Sequence, residues 1–309
     1  MIRRTLLTLS RQKKIQEISA NAPISRSVVS RFIAGEAEQD AVGVAGDLAS
    51  EGLLSTIDHL GEDIEDRGQA DYTREAYLRL LKGLDQAGLA AAAEVSVKLS
   101  AVGQALPGDG EKFALDNARA ICEAATAIGT TVTLDMEDHT TTDSTLSILR
   151  DLRADFPNTG AVLQACLYRT EQDCRDLAYE GSRIRLCKGA YKEPESVAFQ
   201  AKEDVDKAYV RCMRILFDSP CYPMIASHDP RLVEIAGALA TRADKAKGTY
   251  EHQMLYGVRP DEQRRLSKAG ERVRVYIPYG EDWYGYMVRR MAEKPANLAL
   301  FVKSMTSKS

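Results

Sequence analysis

Val95-Ser-Val-Lys-Leu99 alternates strictly, with Val95, Val97 and Leu99 on one face and Ser96 and Lys98 on the other. A two-residue period is that of a strand, whose successive side chains point to opposite sides. The same kind of run recurs at Leu53–Ile57, Ala93–Leu99, Thr130–Leu134, Ala161–Cys166, Arg183–Cys187, Pro223–Ala226, Thr249–Met254 and Val273–Ile277. Longer stretches of helical period lie between them: Thr73–Leu84, Lys112–Ala127, Ser144–Asp155, Ala201–Phe217 and Arg231–Thr241. Strands separated by helices predict a parallel α/β sheet. Eight such units fit a closed (β/α)8 TIM-type barrel better than an open doubly wound sheet. Neither the glycine fingerprint Gly-x-Gly-x-x-Gly nor a Gly-x-x-x-x-Gly-Lys phosphate loop is present, which argues against a Rossmann sheet. Residues 1–50 read as an N-terminal helical segment and 51–309 as one barrel domain, with Gly103–Gly110 a loop after the second strand.

The composition narrows the function classes. A chain of 309 residues with 44% hydrophobic content can bury a large core. Its net charge is −4 and no dense basic stretch occurs, so nucleic acid is not an expected partner. The cysteines at 122, 166, 174, 187, 212 and 221 form no Cys-x-x-Cys pair, which suits reduced thiols in a cytoplasmic protein. No run approaches the ~20 apolar residues of a membrane span. Met1-Ile-Arg-Arg-Thr-Leu-Leu-Thr-Leu9 is too short for a signal peptide and reads as an amphipathic helix packed on the domain.

In barrels of this kind chemistry collects at the carboxyl ends of the strands. Lys98, Asp135, Gln164, Arg185, His228 and Tyr276 all fall at or near such ends. Each alone has a structural explanation, since barrels pair charged residues inside. Six on six different strands, all placed for one end, predict an active site there. No metal is expected, because no His-x-x-x-His or carboxylate pair with ligand spacing stands out. The last helical stretch, Tyr286-Met-Val-Arg-Arg-Met-Ala-Glu293, puts Tyr286, Arg289, Arg290 and Glu293 on roughly one face. Two adjacent guanidiniums there suit one small carboxylate, and Glu293 can steady Arg289 from one turn away. The bland alternative is a solvated face with an ordinary ion pair.

Several longer motifs specify a family. They are Ser96-Val-Lys-Leu-Ser100, Leu134-Asp-Met-Glu-Asp138, Leu163-Gln-Ala-Cys-Leu-Tyr-Arg-Thr170, Arg185-Leu-Cys-Lys-Gly-Ala-Tyr-Lys-Glu-Pro194 and Ala226-Ser-His-Asp-Pro-Arg231. Tyr250-Glu-His-Gln-Met-Leu-Tyr-Gly257, Arg274-Val-Tyr-Ile-Pro-Tyr-Gly280 and Tyr286-Met-Val-Arg-Arg-Met-Ala-Glu-Lys-Pro-Ala-Asn297 follow in order. With these segments the chain resembles proline dehydrogenase, in its short bacterial single-function form, over about residues 53–300.

The resemblance implies FAD-dependent oxidation of L-proline to Δ1-pyrroline-5-carboxylate, by hydride transfer from ring C5 to flavin N5. That is the first step of proline catabolism to glutamate. It implies that Arg289, Arg290 and Lys98 hold the proline carboxylate, that Glu293 orders them, and that Tyr276, Tyr286 and Leu255 wall the ring. Asp135 and Met136 would lie beside the isoalloxazine, Gln164 near its pyrimidine edge and Arg185 at N5, with Asp135 and Arg185 the catalytic pair. Lys188, Gly189, Ala190, Ser227 and His228 would hold the ribityl and phosphate portions. Ser227 stands where threonine is common and Cys187 where valine is common.

The resemblance further implies a membrane quinone as oxidant, with transient contact of a soluble protein at the cytoplasmic membrane face. A separate pyrroline-5-carboxylate dehydrogenase would take the product. Arg3, Arg4, Lys13 and Lys14 could assist at the bilayer surface. Two other readings of the residues are a lysine-dependent aldolase, with Lys98 or Lys188 forming a Schiff base, and a barrel that only binds.

Overall fold

The computed structural model describes residues 29–61, 64–283 and 285–287. The N-terminal amphipathic stretch and the face carrying Arg289, Arg290 and Glu293 lie outside the described residues. From residue 38 onward, α1 (Glu38–Ser50) precedes eight strands with seven α-helices between them. These run β1 (Leu54–His59), α2 (Arg67–Gln86), β2 (Ala93–Lys98), α3 (Gly110–Ala127), β3 (Val132–Asp135), α4 (Thr142–Arg153) and β4 (Gly160–Gln164). They continue through α5 (Thr170–Leu177), β5 (Arg183–Cys187), α6 (Lys202–Phe217), β6 (Tyr222–Ala226), α7 (Pro230–Arg242), β7 (Glu251–Leu255), α8 (Pro260–Lys268) and β8 (Val273–Tyr279). All strand pairs are parallel, and β8 closes on β1 through the register Thr56↔Tyr276 and Asp58↔Pro278. The molecule is therefore a closed barrel of the TIM type, as the alternating patterns predict.

Two helices absent from the sequence reading, α5 and α8, are short and bury little. In α5 only Thr170, Asp173 and Cys174 are buried, and in α8 only Gln263 and Leu266. Such helices carry too few apolar residues to show a period.

The apolar core lies between the barrel and its helices. On β2 the outward Val95 and Val97 are fully buried against α2 and α3. The face that α2 presents to them carries Tyr77, Leu80, Leu81 and Leu84, spaced three and four apart. Asp66 caps α2 by accepting from the Gln69 N–H at 3.0 Å, and Asp229 caps α7, where Pro230 takes the first turn. All six cysteines are free. Among the described residues no helix is long and apolar enough to cross a membrane.

The inward faces are polar and stack in two tiers. The lower tier holds Glu94, Glu251, Arg183 and Arg274. The upper tier, toward the carboxyl ends, holds Asp58, Asp135, Lys98 and Arg185. Among the described residues each contains two carboxylates and two cations, a pairing that permits burial in a closed lumen, since an unpaired buried charge costs several kcal/mol.

Candidate active site

The upper tier forms a continuous hydrogen-bonded chain. Lys98 Nζ donates to Asp58 Oδ2 at 2.5 Å and lies 3.4 Å from the Tyr276 hydroxyl. That hydroxyl donates to Asp135 Oδ2 at 2.7 Å. Asp135 Oδ1 accepts from Arg185 Nη1 at 2.6 Å and from Ser96 Oγ at 2.7 Å. The Arg185 guanidinium sits 5.5 Å from the centre of the Tyr276 ring, a cation–π arrangement that fixes both planes. Lys98, Asp135 and Arg185 are buried. Burial pushes the Tyr276 phenol well above its ordinary range, with Asp135 and Asp58 adding to the effect, so the hydroxyl stays a donor.

A second arc follows the rim. Gln164 Nε2 donates to the Glu137 carbonyl at 2.6 Å. Its Oε1 faces Gly189, where an added Cβ would stand 3.5 Å from that oxygen and 2.3 Å from Cys166 Sγ. Gly189 also has φ +110°, so both backbone and space require glycine. Next to it Lys188 Nζ pairs with Asp206 at 2.5 Å and Asp229 at 3.4 Å. Ser227 Oγ accepts from the Asp229 N–H at 3.2 Å, leaving its own proton to donate. His228 Nε2 accepts from the Leu255 N–H at 2.8 Å, which makes Nδ1 the protonated nitrogen. Leu255 in turn lies in register with Tyr276, so the arc returns to the upper tier. Met136 and Tyr286 are buried and Ala190 is exposed.

Every proposed site residue within the described part thus lies along this carboxyl-end circuit or, for Met136, Ala190 and Tyr286, next to or C-terminal of strands that form it. Two members of the chain were not singled out from the sequence. Asp58, fully buried, falls one residue beyond the run read as ending at Ile57. Ser96 bridges Asp135 and Arg185. Its inward alternation with Lys98 was the available signal. Tyr77 from α2 braces this side by donating to the Ser96 carbonyl at 2.7 Å.

A flavin would need a buried donor at the barrel mouth, an amide with a free oxygen, and a rim able to meet phosphate. The residues fit these needs. Arg185 Nε is buried and finds no hydrogen-bond partner among the described residues, an unmet donor of the kind that normally costs about 1–3 kcal/mol. The Gln164 amide, the Ser227 hydroxyl and the Lys188 ammonium supply the rest.

A model of the proline dehydrogenase family matches residues 41–302. Proline dehydrogenase 1 of Bacillus subtilis is 36% identical over 308 residues, covering 100% of both chains. The proline dehydrogenase of Deinococcus radiodurans is 36% identical over 307 residues, covering 99% of this chain and 98% of its own. Proline dehydrogenase 2 of Bacillus subtilis is 38% identical over 284 residues, 92% of each chain. Among solved structures, proline utilization A (PutA) from Bdellovibrio bacteriovorus, inactivated by N-propargylglycine, superposes with a TM-score of 0.80 at 24% identity over 92% of this chain. This chain spans 36% of that protein's length, so the likeness bears on the fold alone.

Proposed function

The chain belongs to the proline dehydrogenase family, and from that membership we propose that it oxidises L-proline to Δ1-pyrroline-5-carboxylate with FAD and passes the electrons to a membrane quinone. The observation that carries the cofactor assignment is the buried, unpartnered Arg185 Nε at the mouth of a polar barrel lumen. Arg185 and Gln164 would meet the ring system, with Asp135 and Met136 beside it. Lys188, Gly189, Ala190, Ser227 and His228 would hold the ribityl and phosphate portions. FAD, when bound, accepts the hydride that leaves the carbon next to the substrate nitrogen.

The chain's own residues bind and orient. Lys98 presents an ammonium to the substrate carboxylate, with Arg289 and Arg290 as its proposed partners. Tyr276, Leu255 and Tyr286 exclude water from the ring and limit its size. His228 fixes Leu255 by accepting its N–H, so the rim residue beside the phosphate also sets one wall of the substrate pocket. Asp135 holds Arg185 through one oxygen and Tyr276 through the other. The oxidant is proposed to be met at the cytoplasmic membrane face, and the product to pass to a separate pyrroline-5-carboxylate dehydrogenase.

The test is a visible spectrum of the purified protein, without and with L-proline in the absence of oxygen. Flavin bands should be present, bleach on adding proline, and return with a soluble quinone, while an aldehyde trap reports the pyrroline product. A colourless protein that takes up no FAD, or flavin bands untouched by proline, would overturn the reading.

A further inference from the structure

We infer that Asp58 is a positioning residue for substrate, holding the Lys98 ammonium at the place where the proline carboxylate meets it. The inference rests on the reading of the site just given.

Asp58 is held from both sides of its strand. Its backbone is in register with Ser96 on one side and Pro278 on the other, and its side chain is fully buried. Among the described residues only Oδ2 has a partner within 3 Å, Lys98 Nζ at 2.5 Å. Oδ1 lies 3.4 Å from the Tyr77 hydroxyl, whose single proton is committed to the Ser96 carbonyl at 2.7 Å. Lys98 is therefore the main partner of this carboxylate, with the Tyr276 and Tyr77 hydroxyls as weaker ones.

Lys98 needs such an anchor. Its four-carbon stem is intrinsically flexible, and a second carboxylate, Asp135, stands 3.8 Å from Nζ. Asp135 already accepts from Ser96, Arg185 and Tyr276. A lysine drawn onto it would disturb the Tyr276 and Arg185 contacts and withdraw the ammonium from the β1–β2 side. Asp58 pulls from the opposite side and balances that attraction.

Two effects of removing the Asp58 charge oppose each other, and the sign of the result separates them. Among the described residues the tier holds two carboxylates and two cations. Deleting one carboxylate leaves an excess positive charge, which by charge alone would bind an anionic carboxylate more tightly and lower KM. Loss of positioning raises KM instead.

Asp58→Asn keeps the shape and removes the charge. Proline KM should rise at least about tenfold, with kcat changed by less than that, because an interaction made in both the ground state and the transition state has been lost. Lys98→Met should raise KM similarly. The double variant should be no worse than Lys98→Met if Asp58 positions substrate through Lys98, its main partner. Should Asp58→Asn not accumulate as folded flavoprotein, the comparison of Lys98→Met with the double variant, which leaves no unpaired charge, decides on its own. Equal KM values there support the inference, and a further rise in the double variant overturns it. In the single variant, a KM that falls or stays within threefold of the unmutated enzyme overturns it while leaving the function intact. An unmutated protein that does not oxidise proline overturns the reading of the site and this inference together.

Discussion

At Tyr276 the ring and the hydroxyl act separately. The hydroxyl donates to Asp135 at 2.7 Å, and the ring packs under the Arg185 guanidinium. Tyr276→Phe removes a hydrogen bond to a charged acceptor, worth about 1.5–3 kcal/mol, and should lower kcat/KM for proline. The ring remains, so proline should still be preferred over trans-4-hydroxy-L-proline at least roughly tenfold, because a hydroxyl forced against it would be buried unpaired at about 1–3 kcal/mol. Tyr276→Ser opens the space and should narrow the preference, mostly by damaging proline turnover. Steady-state kinetics with both substrates on three proteins give the answer; identical selectivity in the two variants would deny the ring its role. At this scale Lys98, Asp135, Gln164, Arg185 and Tyr276 were legible in the sequence, because a two-residue period reveals which side chains enter the lumen. Asp58 was not, since its run was ended at the last apolar residue. Nor could alternation show that Lys98 belongs to Asp58, or that His228 accepts from Leu255, because partner choice depends on strands far apart in the chain.

At the scale of elements, the strands and the long helices were readable to within about two residues, except that α2 begins six residues before the stretch read from its period; α5 and α8 have too little apolar surface to impose one. The segment after β5 shows how an element end carries function. Lys188 reaches Asp206 on α6 and the Asp229 cap of α7, so the two helices and β5 are tied at one point. Burial would raise the Asp229 carboxyl, but Arg231, its own cap bond and Lys188 outweigh that and hold it at about 2. Gly189 lets the chain turn there against Cys166. Gly189→Ala would combine a backbone conformation costing about 1–3 kcal/mol with a clash at 2.3 Å against Cys166 Sγ. The expected result is a folded protein that retains much less FAD, measured as the ratio of flavin to protein absorbance after gel filtration. Full retention with an unchanged Tm would show that the β5 end does not hold the cofactor.

For the whole molecule, the buried lower tier ties four strands of the barrel together. Arg274 donates to Glu251 at 2.7 and 3.1 Å and lies 3.7 Å from Glu94, while Arg183 pairs with Glu94 at 2.5 Å. Burial works to raise the Glu94 carboxyl, yet Arg183, Arg274 and Arg185 together hold it at about 2. Glu251 is likewise lowered, with Arg274 outweighing burial. A carboxyl depressed in the folded state contributes stability above its unfolded pKa and loses it as pH falls toward the folded value. For Glu94 that window runs from about 4.5 down to about 2. Arg274→Met leaves Glu251 without its main cation, and breaking a buried pair from one side costs about 3–5 kcal/mol. Chemical denaturation should show that deficit in full near pH 8, and it should shrink as acid neutralises the stranded Glu251 in the folded variant. Below about 4.5 the gap between the two proteins should narrow, since the unmutated barrel loses the benefit of its depressed carboxyls while the variant has less to lose. A deficit under about 1 kcal/mol, or one that widens in acid, would mean that the tier is a screened pair of surface type and not a structural layer of the barrel.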